Sequence, residues 1–75
     1  MLNEFIQHFA EQFDDTDINE FQATTKFKSL SEWSSLTALN IIAMVDEEYN
    51  VTLKGADIEN ANTIEDLFNT VQRKK

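Results

Sequence analysis

Cysteine and proline are absent from the 75-residue chain, and glycine occurs once, at Gly55. Without cysteine there is no disulfide framework and no thiolate metal site, so stability has to come from packing. A chain almost free of Pro and Gly has few helix breakers, which points to helices. Histidine also occurs once, at His8. One imidazole with no cysteine beside it assembles no metal centre, and no serine-histidine-acid system is built into the local sequence. Basic residues are scarce, six against fourteen acidic, for a formal charge of −8. That charge repels nucleic acid and anionic membrane surfaces, and a partner that exploits it must offer a basic face. Apolar runs such as Ile41-Ile42-Ala43-Met44-Val45 fall far short of the roughly 20 residues of a membrane helix. Met1-Leu2-Asn3-Glu4-Phe5 lacks the basic start and apolar segment of a signal peptide, so export is not expected and a cytoplasmic location is the simplest reading. No repeat or low-complexity tract suggests a solenoid or linker.

What is present suits one small folded domain, residues 1–75. Hydrophobic residues make up 41% and charged residues 27%, values that separate the chain from disordered and membrane-spanning classes. Its length lies near the lower limit for a core that stabilises itself unaided. The organising stretch is Glu32 to Tyr49. Leu36, Leu39, Ile42, Val45 and Tyr49 recur at three, three, three and four, predicting a helix over 35–49 with that row buried and Ala38, Ile41 and Met44 flanking it. Asn50 is its expected stop. Leu2, Phe5, Ile6, Phe9 and Phe13 predict an amphipathic helix over 2–13. Ile64, Leu67, Phe68 and Val71 predict another over 63–72, with Thr63 and Asp66 close to a capping box. Asp57 to Ala61 can make a short helix over 57–61. Val51-Thr52-Leu53 alternates like a strand but has no partner and is expected as extended loop.

A long connection, Asp14 to Trp33, has no sustained period. Its segment Asp15-Thr16-Asp17 invites an EF-hand reading, which fails: counting from Asp15, the sixth residue is Glu20 rather than Gly and the twelfth is Lys26 rather than Glu. No metal site is expected. Trp33 is expected to pack beside the mouth of the central helix.

At that mouth stand Ser34 and Ser35, where first-turn amides lack partners. One serine is expected to cap the helix and the other to be free at its entrance. Here Ser34-Ser35-Leu36 resembles the Asp-Ser-Leu hallmark at the second helix of the acyl carrier protein family, the phosphopantetheine-binding carrier domains. The likeness continues through Asp46-Glu47-Glu48-Tyr49, Val51-Thr52-Leu53 and Thr63-Ile64-Glu65-Asp66-Leu67. It implies an all-α, antiparallel four-helix bundle of three long helices and one short, with a long first loop that lays Ile18, Phe21, Phe27 and Leu30 inward. It also implies a carrier with no catalysis of its own, in which Ser35 holds 4′-phosphopantetheine supplied from coenzyme A by a phosphopantetheinyl transferase. The arm would bear acyl or aminoacyl groups as thioesters, as in fatty acid or polyketide biosynthesis, and deliver them to partner enzymes. Leu36, Met44, Asp46, Glu47 and Glu48 are the expected partner contacts, and Ile58 and Ala61 the edge of an acyl groove; the carrier is expected to be a monomer. The chain departs from the family at Ser34, where Asp is usual. Loss of that carboxylate predicts slower modification or a dedicated transferase. Thr37 and Asn40 are neutral where many members carry acids, so apolar docking contacts should weigh more.

The rival reading is a small helical interaction module that holds a partner helix in an apolar groove and needs no prosthetic group. A stand-alone enzyme is the weaker rival, for want of an acid-base or nucleophile-base constellation.

Overall fold

Phe5, Phe9 and Phe27 have no solvent exposure at all, and the molecule is assembled around them. The structure, a computed structural model, describes residues 1–75. It is all-α, with no strand: α1 (Leu2–Ala10), α2 (Ser35–Tyr49), α3 (Gly55–Asn60) and α4 (Ile64–Lys74), and two 3₁₀ turns, Ile18–Glu20 and Phe27–Ser29, between α1 and α2. Helix α1 packs on α2 and α4, and α3 packs on α4. No helix is long and apolar enough to cross a membrane.

Helix α1 ends at Ala10, short of the expected Phe13. Its apolar row nevertheless runs on. Gln12 N–H donates to Phe9 O and Phe13 N–H to Ala10 O, which tightens the chain past the helix end and keeps Phe13 buried. Helix α3 begins two residues before the expected start and ends at Asn60, while α4 extends to Lys74 with Thr63 as its cap. The carboxylate of Asp66 accepts the Thr63 amide as Thr63 Oγ1 accepts the Asp66 amide, so the shorter acid does close a capping box.

The long connection is held at both edges of the bundle. Ile64 N–H donates to Thr25 O and Glu65 N–H to Ala23 O, which satisfies two orphan amides of α4. Phe21 and Phe27 enter the core, their rings 4.9 Å from Phe13 and 5.3 Å from Phe9, and Leu30 packs against it half-buried. Ile18 does not: it is 59% exposed. Phe21 follows the turn in extended backbone (φ −99°, ψ 103°), which carries its ring to Phe9 and Phe13 and leaves Ile18 outside. Val51 and Leu53 are buried in an extended segment with no strand partner.

Helix α2 differs from expectation in phase. Its buried residues are Thr37, Ile41, Met44 and Val45, whereas Leu36 is 68% and Leu39 61% exposed. A row spaced by threes winds around a helix, because each step falls about 60° short of a full turn. Leu36 and Val45, nine residues apart, therefore lie on opposite sides. The inward face takes Ile41 and Met44 from the expected flanking row, keeps Val45 from the expected buried row and adds Thr37, while Ala38 is half-buried.

Candidate functional site

The mouth of α2 is set by Ser34. In extended backbone (φ −156°, ψ 175°), its Oγ accepts the Thr37 amide at 3.3 Å and lies 3.2 Å from Thr37 Oγ1. Thr37 is the one buried polar residue, and its hydroxyl donates onward to the Glu32 carbonyl at 2.9 Å. Ser34 is thus the cap. Ser and Asp are nearly equivalent at that position, which explains why a serine can stand there without loss of the helix start.

Ser35, the first helical residue, is exposed, and its hydroxyl is left to solvent. The first intrahelical bond is Ala38 N–H to Ser34 O. The amides of Ser35 and Leu36 therefore point out of the helix beside the Ser35 hydroxyl, at the positive end of a fifteen-residue dipole. No acidic residue occupies the first turn.

Beside Ser35 opens a groove of ≈ 540 Å³, walled by Trp33, Ala38, Leu39 and Ile42 on one side and by Gly55 and Ile58 on the other, with Lys28 and Glu59 at the rim. Trp33 is half-buried and stands against Phe27 at 5.0 Å, which fixes the wall next to the two serines. Ile58 lines this groove. Ala61 does not: 3% exposed, it stands past the end of α3 in extended backbone (φ −89°, ψ 135°) and borders a separate polar cleft with Asp57, Asn60, Asp66, Asn69, Thr70 and Arg73.

The approach to α2 is held by Glu32. Its carboxylate accepts the amides of Asp14 (3.1 Å) and Asp15 (2.9 Å) and the hydroxyl of Thr16. The Thr16 hydroxyl, helped by those amides, holds the Glu32 carboxyl below its ordinary value of 4.5. Nothing in the local pattern marked Glu32; its partners lie sixteen to eighteen residues away. Leu39 was likewise missed as a groove and surface residue, since its spacing had placed it in the core.

The outward face of α2 carries Leu36, Leu39, Asn40, Ala43, Asp46 and Glu47, all exposed and recurring at three and four. It is apolar near Ser35 and acidic at the far end. Met44 is only 6% exposed, so it cannot meet a partner as the sequence suggested; one residue beyond Ala43 it turns into the core. Glu48 is exposed and lies 3.9 Å from His8. Asn50 stops the helix in left-handed backbone (φ 57°, ψ 38°), donating to Asp46 O.

The chemistry open to Ser35 is narrow. His8 faces Glu48 and Tyr49, thirteen residues and so about 20 Å along α2 from Ser35. No base is positioned to deprotonate the hydroxyl. An exposed alcohol among free helix-terminal amides, with no acid in the first turn, fits a phosphate diester formed from outside.

The sequence profile described as phosphopantetheine attachment site matches residues 3–71. Searches among curated proteins and among solved structures gave no match.

Proposed function

Since the chain belongs to the phosphopantetheine attachment-site family, it is a carrier without catalytic activity whose cofactor is covalent 4′-phosphopantetheine, and we propose that Ser35 is where the arm is joined. The observation that carries this reading is the division of labour between adjacent serines: Ser34 is consumed as a cap while Ser35 is exposed and unbonded. The helix-terminal amides of Ser35 and Leu36 supply the positive surroundings a phosphodiester needs. The arm's terminal thiol supplies the chemistry, holding cargo as a thioester.

The carrier role implies a phosphopantetheinyl transferase and pathway enzymes as partners. We propose that they dock on Leu36 and Leu39 near the attachment serine and on Asp46, Glu47 and Glu48 at the far end. The neutral turn between these groups makes the contact less dependent on salt than an all-acidic face would be. The apolar lining of the groove, Trp33, Ala38, Leu39, Ile42 and Ile58, favours an acyl cargo, fatty or polyketide in character, over a strongly polar one. We propose that the carrier acts as a monomer.

The test is intact mass. After incubation with coenzyme A and a broad-specificity phosphopantetheinyl transferase, the chain should gain the mass of the arm, and Ser35→Ala should gain nothing. Ser34→Asp should restore the missing carboxylate while keeping the cap, and so raise the rate of modification. An adduct that survives Ser35→Ala would refute the assignment.

A further inference from the structure

Lys28 makes the side-chain hydrogen bond from the long connection to α3. It extends from the 3₁₀ turn rooted by the fully buried Phe27, lines the rim of the groove, and donates from Nζ to the Glu59 carbonyl at 2.8 Å. That carbonyl lies in the last turn of α3, where carbonyls lack helical partners and the helix end is negative, so a cation is well placed there.

Helix α3 needs such support. It has six residues, fewer than a helix requires to stand alone. The bonds at its two ends are long or tightened: Ile58 N–H to Lys54 O is 3.4 Å, and Ala61 N–H to Ile58 O spans only three residues at 3.3 Å. At its N-terminal end the Asp57 carboxylate accepts the Lys54 amide at 2.9 Å and pairs with Lys74 of α4 at 3.2 Å. At its C-terminal end the side-chain bond that ties it to the rest of the molecule is the one from Lys28. Without that bond α3 has no side-chain hydrogen bond at its C-terminal end, whereas α2 keeps both its serine cap and its asparagine stop.

We propose that Lys28 is a specificity-determining residue: by pinning the end of α3 it sets how far the groove opens and so how long a cargo chain it shelters, a role that rests on Ser35 as the anchor of the arm. Lys28→Met keeps the aliphatic stem and removes the donor; Lys28→Arg keeps a donor. On the unloaded chain, amide exchange from Ile58 to Ala61 should speed up about three- to tenfold in Lys28→Met, with the interior of α2 and α4 unchanged and Lys28→Arg close to the parent. Each protein is then loaded by transferase from butyryl- or dodecanoyl-coenzyme A, attachment is verified by mass, and the thioesters are cleaved with hydroxylamine. In Lys28→Met the dodecanoyl thioester should be cleaved several-fold more slowly than in the parent, and the butyryl thioester at the same rate. Unchanged exchange in α3, or an unchanged ratio of the two cleavage rates, overturns the proposal. If the parent takes no mass, the anchoring role of Ser35 fails and the cargo role with it, while the exchange comparison still decides whether Lys28 holds α3.

Discussion

Helix α2 forms one wall of the groove and runs fifteen residues from a serine cap to a left-handed asparagine stop. Helix α3 forms the other and runs six residues, with no side-chain bond closing its C-terminal end except one from a distant lysine. The first wall buries Thr37, Ile41, Met44 and Val45; the second, Ile58 alone within its span. A carrier needs both qualities. The attachment serine must be held in a fixed place for a transferase to find it, and a shelter for cargo must be able to yield. A long wall capped at both ends and a short one are here on different helices, joined through the short extended segment that buries Val51 and Leu53.

That contrast can be broken most forcefully through the core. Ile41→Ala should cost about 2–5 kcal/mol of global stability in urea denaturation, and Ile58→Ala a value near the low end, because α3 can close over the gap it leaves. Equal costs would mean that α3 is as firmly set as α2. Ser34→Ala should cost about 1 kcal/mol, the worth of the cap, and Ser34→Asp almost nothing, both read from thermal melts.

Gly55→Ala should act in the other direction. Gly55 has no positive φ, and a Cβ there meets nothing within 4 Å, so alanine should stabilise by about 0.5–1 kcal/mol and slow amide exchange in α3 while leaving α2 untouched. A gain spread evenly over both helices would contradict the separation.

The smallest effect concerns pH. Glu32 is held below its ordinary value by the Thr16 hydroxyl and the Asp15 and Asp14 amides, Asp57 by the Lys54 amide and Lys74, and Asp66 by the Asn62 and Thr63 amides. A lowered folded value gives stability that is present above the ordinary values of 4.5 and 3.8 and is lost as pH falls through the folded ones. Melting temperature should therefore fall on acidification below about pH 4. Glu32→Gln should make that acid limb shallower, and an unchanged slope would show that Glu32 does not hold the approach to α2.

The number of helices, the cap at Thr63, the stop at Asn50 and the exposed serine at the mouth of α2 were legible because each depends on residues within one or two turns of it. The buried side of α2 was not. Its row at steps of three changes sides between Leu36 and Val45, and only the packing of α1 against it selects the face with Ile41 and Met44. The exposure of Ile18 and the roles of Glu32 and Lys28 were equally hidden. The last two are decided by partners far away in sequence, from Asp14 to Glu32 and from Lys28 to Glu59. The local pattern thus marked the serine proposed as the attachment point, while the device proposed to shelter cargo depends on tertiary contacts.

The most direct measurement is fragment-ion mass spectrometry of the chain after treatment with coenzyme A and transferase. The phosphopantetheinyl group should be found on Ser35 in every modified molecule, with Ser34 bare. An arm carried by Ser34, or by any side chain outside the first turn of α2, would contradict the account.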